Sequence, residues 1–163
     1  MSKETITNYY QQDHERLEAL FRQFQEWKRK DAAQGKEYFI QFKLGLQRHI
    51  VWEEEILFPL FERKSSLGRP GPTDAMRMEH RQIKGLMEAI HQKVQVGDPA
   101  SETEEAQLLS LLGRHNQKEE DVLYPGIDHL LNPEDLESVF RQMAEVPEER
   151  YDHCCEAGEV PVS

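Results

Sequence analysis

Residues 49–59 read "HIVWEEEILFP", and residues 115–125 read "HNQKEEDVLYP". Both run histidine, three residues, acids from the fifth position on, then a β-branched residue, leucine, an aromatic and proline. The two copies are 66 residues apart, and the spacing extends beyond them. His14 and His80 share it, as do Glu53 and Glu119, and Pro59 and Pro125. Around the first of these pairs, "DHERLEAL" (13–20) parallels "EHRQIKGL" (79–86). The chain therefore reads as a tandem repeat of one unit.

The unit is helical. Proline and glycine cluster in "KDAAQGK" (30–36), "SSLGRPGP" (65–72) and "VGDPAS" (96–101), which separate long stretches of 3.6-residue periodicity. The first helix is expected over about 7–30 with Tyr10, Leu17, Phe21 and Phe24 inward. The second is expected over about 37–63, burying Phe42, Leu46, Ile56, Leu57 and Leu60. The third, over about 74–96, turns Met76, Ile83, Met87, Ile90 and Val94 inward. The fourth starts near Ser101, where "SETE" has the form of a capping box, and places Leu108, Leu111, Leu112, Val122 and Leu123 on one face. No run alternates as a strand would. The expectation is an all-α, antiparallel up-down four-helix bundle made of two helical hairpins about a pseudo-two-fold axis. A short C-terminal helix follows, with Asn132 as N-cap and Pro133 in its first turn. The bundle takes residues 1–146, and 147–163 form an acidic tail expected to be poorly ordered.

Residues four apart on a helix share a face, so His49 points with Glu53 and His115 with Glu119. Leu46 and Ile56 mark that face as the inward one in the first copy, Leu112 and Val122 in the second. His14 lies three before Leu17 and His80 three before Ile83. Four histidines and two glutamates are thus directed into one core, where unpaired charge is strongly unfavourable. Metal ions reverse that balance, and imidazole with carboxylate suits iron, manganese or zinc. Six donors exceed one tetrahedral ion and suit two ions roughly 3.5–4 Å apart. A hydrogen-bonded His–Glu network is the alternative, and it explains one pair more easily than six groups on a fixed period.

His14, "HIVWE", His80 and "HNQKE" together resemble the hemerythrin-like, HHE cation-binding domain family over about residues 7–130. The resemblance implies a four-helix bundle with a non-haem centre of two iron ions and an oxo or hydroxo bridge, iron ahead of manganese or zinc. By that resemblance His14 and His49 hold one iron, His80 and His115 the other, and Glu53 and Glu119 bridge. Oxygen-carrying hemerythrins have a fifth histidine one turn after the third-helix histidine. Here that position is Lys84, and its repeat mate is Glu18. The chain is therefore similar to a four-histidine branch, in which Glu18 ligates, pairs with Lys84 across the bundle, or turns outward. Tyr10, one turn before His14, is a further candidate to face the site, with a core aromatic as the alternative.

Asp13 and Glu79 precede the histidines and are candidates to accept from imidazole N–H groups or to sit on the surface. Glu54, Glu55, Glu120 and Asp121 are expected mostly outward, and Trp52 off the ligand stripe. His91, His129 and His153 lie off the repeat grid. The adjacent Cys154 and Cys155 suit a reducing compartment better than a structural disulfide. The net charge of −11 argues against nucleic acid and anionic membranes. No stretch approaches the length of a membrane span, and the start of the chain has no apolar leader, so a cytoplasmic location is expected. The expected partner is a diatomic ligand or peroxide. Three uses fit: binding or sensing, redox chemistry that includes iron donation for iron–sulfur repair, and simple iron binding.

Overall fold

The computed structural model describes residues 4–65 and 71–152. Among them every regular element is helical. The hairpin α1 (Ile6–Trp27) and α2 (Ala32–Trp52) is followed by a π turn (Glu53–Leu57) and α3 (Phe58–Lys64). The second hairpin is α4 (Pro72–Gln95) and α5 (Glu102–Lys118), followed by a π turn (Glu119–Leu123) and α6 (Tyr124–Leu130). The short helix α7 (Pro133–Glu145) and a 3-10 turn (Glu148–Arg150) complete the described chain. The helices pack as two hairpins, α1 on α2 and α4 on α5, which meet along α2 and α4 and where α1 meets α6.

Local chemistry sets the ends. Thr5 accepts from Asn8 N–H, and Asp31 from Ala33 and Gln34 N–H. Asn132 accepts from Asp135 N–H while Asp135 accepts from Asn132 N–H, so α7 opens on a capping box with Pro133 just inside. The box expected at Ser101 is absent. Ser101 occupies the cap position, but its hydroxyl donates to Glu105, itself a buried carboxylate held by Lys28. The second helix also begins earlier than its glycine suggested. Gly35 lies inside α2, where a Cβ would meet Lys28 Cα at 2.6 Å; it permits close approach of two backbones rather than a turn. Gly97, at φ 74°, is the left-handed residue that ends α4.

The two π turns come from the repeated motif. Phe58 N–H reaches Glu53 O and Tyr124 N–H reaches Glu119 O, each five residues back. The prolines that follow, Pro59 and Pro125, have no N–H to continue the α pattern, and a wide turn accommodates this. The extra residue rotates everything after it. Leu123 and Tyr124 turn inward, and Val122, expected in the core, is 68% exposed. Its repeat mate Ile56 stays buried because α7 packs on the first π turn, bringing Val139 and Met143 against it.

The core divides into two apolar clusters. One gathers Ile6, Tyr10, Trp52, Leu57, Phe58, Met76, Leu123 and Tyr124 with α7. The other gathers Leu17, Phe21, Phe42, Leu46, Ile83, Met87, Leu108 and Leu112. On α1 and α4 a histidine (His14, His80) sits between the residues of one cluster and those of the other, and His49 and His115 stand near the end of the second cluster's run on α2 and α5. Leu60, Val94 and Leu111 are only partly buried. No described helix is long and apolar enough to cross a membrane.

Candidate metal centre

The structure brings His14, His49, Glu53, His80, His115 and Glu119 together in the layer between the two clusters. Both glutamates are fully buried (0% exposed), and the histidines nearly so. His49 Nε2 lies 3.2 Å from Glu53 Oε2, and His14 Nε2 lies 3.2 Å from Glu119 Oε1. In the other half, His80 Nε2 lies 2.9 Å from Glu53 Oε1 and His115 Nε2 3.0 Å from Glu119 Oε2. Each carboxylate therefore gives one oxygen to each histidine pair. Two donor sets result, His14–His49–Glu53–Glu119 and Glu53–His80–His115–Glu119, each with its atoms within 4.8 Å of one another.

The opposite edge of every imidazole is held by a further carboxylate. His49 Nδ1 is 2.8 Å from Asp13, His115 Nδ1 2.7 Å from Glu79, His80 Nδ1 2.7 Å from Glu54 and His14 Nδ1 2.7 Å from Glu120. Asp13 and Glu79 clasp within a hairpin. Glu54 and Glu120 clasp between hairpins. These bonds turn all four Nε2 atoms toward the centre and make the imidazoles better donors. Asp13 and Glu79 thus take the first of their two expected positions. Glu54 and Glu120, expected outward, stand on the flank of the ligand stripe and reach His80 and His14 on the other hairpin. Glu55 and Asp121 do point out, pairing with Arg150 and Gln117.

A cation fits this site on the evidence of its orphaned atoms. Glu53 Oε1, His80 Nε2 and Glu119 Oε2 are buried with no hydrogen-bond partner. The His80–Glu53 approach is close but misaligned, so the atoms are aimed at a shared point rather than at each other. The donors are all nitrogen and oxygen, which suits iron, manganese or zinc. Charge is matched as well. Burial alone would lower the His49 pKa, yet Glu53 and Asp13 raise it to about 10. Burial is likewise overcome at His80, raised to about 9 by Glu53 and Glu54, and at His115, raised by Glu119. Against burial, His49 and His80 hold Glu53 well below its ordinary value. Without an ion, imidazolium groups therefore neutralise the carboxylates, and a bound cation would take the place of their protons.

Tyr124 was missed by the sequence. Its hydroxyl donates to Glu53 Oε2, lies 2.7 Å from Glu119 Oε1, and lies 3.3 Å and 3.4 Å from the Nε2 atoms of His49 and His14. In a regular helix a residue five after Glu119 faces away, and the π turn brings it back. Burial and the charges of Glu119 and Glu53 raise its pKa well above the ordinary value, so it is a neutral phenol here. The only available signal was the change from "LFP" to "LYP" between the copies.

Other candidates lie elsewhere. Tyr10 is a core aromatic whose hydroxyl meets Met143 Sδ at 3.4 Å. Glu18 is exposed and pairs with Arg22 at 2.7 Å; it is neither inside the site nor on Lys84. Leu17, three after His14, takes the inward position, leaving residue 18 on the flank. Lys84 is half-buried and contributes positive charge near Glu54. Trp52 packs in the cluster that contains α7, beneath Arg48, and His91 stacks on Phe39. Residues 147–152 make a short turn held by Gln47 to Tyr151 O and Arg150 to Glu55. The rest of the expected tail, with His153, Cys154 and Cys155, lies outside the described residues. A cavity of about 410 Å³ opens between α1 and α5, floored by Leu17, Phe21, Phe42, Leu46 and Leu112, and ends at His14 and Glu120.

Comparison with known proteins agrees with this geometry. The chain is 29% identical over 132 residues to a protein described as "DNA nickase" from Nostoc sp. (strain PCC 7120), and the match covers 81% of this chain and 36% of that protein. No solved structure matches. The family model described as "Hemerythrin HHE cation binding domain" matches residues 5–127, the span that carries all six converging side chains, and the chain belongs to that family.

Proposed function

We propose that the chain is a non-haem di-iron protein that binds or reacts with oxygen, peroxide or nitric oxide, serving iron or oxidative-stress physiology in the cytoplasm. The observation that carries this is the division of the oxygens of Glu53 and Glu119 between two histidine pairs. His14 and His49 would hold one ion, His80 and His115 the other, with both glutamates bridging. Bound iron would supply a redox-active Lewis acid for a small ligand. The protein supplies the rest. Asp13, Glu54, Glu79 and Glu120 fix the imidazole orientation, and the apolar clusters exclude water above and below. The cavity that ends at His14 and Glu120 gives a small apolar molecule a route inward.

A second reading, iron donation to damaged iron–sulfur clusters, is favoured by the rim of the same cavity. Glu15, Glu18 and Asp121 line it and suit a departing cation. DNA nicking is not carried over from the Nostoc protein, since this chain spans 36% of it and has a net charge of −11.

Metal analysis of the purified protein tests the centre. Two irons per chain are expected, with loss of metal in the His49→Ala plus His115→Ala variant. Absence of bound metal would refute it. Mixing the reduced protein separately with oxygen, peroxide and nitric oxide then separates the uses. A reversible adduct marks a binder, peroxide turnover a redox enzyme, and ferrous release to an apo iron–sulfur protein a donor.

A further inference from the structure

We propose that the oxygen of Tyr124 is a donor to the metal held between His14 and His49, which makes the two metal positions chemically unlike. The proposal rests on the di-metal reading above and adds to it. Tyr124 Oη touches all four groups of that donor set: the Nε2 atoms of His14 and His49 at 3.4 Å and 3.3 Å, Glu119 Oε1 at 2.7 Å, and Glu53 Oε2. An atom in contact with every member of a donor set stands at the point those donors share, or beside it. An ion that enters there meets the phenol oxygen directly.

The other half shows what happens without that oxygen. Phe58, 66 residues earlier, is the repeat mate of Tyr124. It is equally buried and lies flat on His80, with ring centroids 5.9 Å apart and planes at 8°; Tyr124 lies on His14 at 5.8 Å and 30°. The two rings hold matching posts, and they differ by one oxygen. Glu53 Oε1 and Glu119 Oε2, the carboxylate oxygens on the Phe58 side, are the ones left without hydrogen-bond partners, while their counterparts are taken by Tyr124. The donors facing the His14 side therefore number five, and those facing the His80 side four.

Between two carboxylates the phenol stays neutral and donates its proton. An iron ion at the same point inverts the local field, and the phenolate oxygen becomes the better donor. The proton leaves to solvent when the oxygen binds ferric iron. No oxidation of the ring is involved.

The test uses the whole chain loaded with iron and oxidised to the ferric state. Iron content is measured on the same sample as visible absorption and resonance Raman. Two irons per chain with a phenolate-to-ferric charge-transfer band, and tyrosinate ring modes enhanced within it, are expected. Tyr124→Phe is expected to lose both signals while Tyr10→Phe keeps them. Two irons per chain without the band, or a band that survives in Tyr124→Phe, overturns the proposal and leaves the di-iron reading standing. No bound iron overturns both. The wild-type spectrum decides the matter even where Tyr124→Phe loads poorly.

Discussion

Replacing one Nδ1 carboxylate by its amide removes charge and leaves an oxygen that still accepts the imidazole N–H. The four sites allow the effect to be graded. Asp13 is 8% exposed, Glu79 20%, Glu120 25% and Glu54 29%. Charge felt through a buried bond is screened less than charge at the surface. Loss of such a partner typically weakens metal binding by about 10–100-fold, which is about 1.4–2.7 kcal/mol. Asp13→Asn is therefore expected near the upper end, and Glu54→Gln and Glu120→Gln near the lower. The pairing adds a stricter expectation. Asp13 and Glu120 serve His49 and His14, on one proposed ion, whereas Glu54 serves His80, on the other. The double variant Asp13→Asn plus Glu120→Gln should leave one tightly held iron per chain. Asp13→Asn plus Glu54→Gln should loosen both. Anaerobic ferrous titration against a competing chelator reads the number and strength of tight sites. If the two double variants behave alike, or Glu54→Gln costs more affinity than Asp13→Asn, the carboxylates do not act through the imidazoles they touch.

Two further expectations follow from the same geometry. In metal-free protein His49 and His80 have folded pKa values of about 10 and about 9, above the ordinary 6.5; their contribution to stability is complete below pH 6.5 and is lost as pH rises toward 9–10. The melting temperature of the metal-free protein should fall across that window, and the gain on ferrous loading should grow because fewer protons compete; a gain that shrinks with rising pH would contradict it. Gly113 lines the cavity beside His14, and a Cβ there would meet nothing within 4 Å. Gly113→Phe is expected to keep metal content and raise helix stability by a few tenths of a kcal/mol, about 0.3–0.5, while slowing chelator removal of iron; an unchanged removal rate would show that iron leaves by another route.

Much of the fold was legible because it obeys one period. Inward residues three and four apart located four helices, and the 66-residue spacing located the residues that meet in the core. Two of the failures share a cause. Val122 out and Tyr124 in follow from one extra residue per π turn, which 100° per residue cannot foresee, while Glu54 and Glu120 reach the imidazoles of the opposite hairpin from the flank of the ligand stripe. The prolines at 59 and 125 were visible, but as a matched pair of the repeat rather than as the reason for a wider turn. Gly35 failed differently. Glycine is equally compatible with a turn and with a close helix crossing, and Lys28 decides between them only in three dimensions. At Ser101 the hydroxyl had two acceptors within reach, the helix backbone and Glu105, and the buried carboxylate took it.

The placement of symmetry and asymmetry in the repeat has a physical logic. Every charged member of the centre has a mate 66 residues away: four histidines, two shared glutamates and four clasping carboxylates. A buried charge in one half needs the same compensation as in the other, so neither half can lose a charged partner without leaving an unpaired group. Neutral positions are under no such constraint. The copies diverge there, in Tyr124 against Phe58, and in the apolar cover that α7 gives Ile56 but not Val122. Glu18 and Lys84, which looked from the sequence like the break in symmetry, stand outside the buried layer and answer to solvent. A phenol in place of a phenyl ring adds a donor atom to the core without adding a charge to the metal-free protein. That makes Tyr124 the position where two nearly identical halves can acquire different chemistry at small cost to the fold.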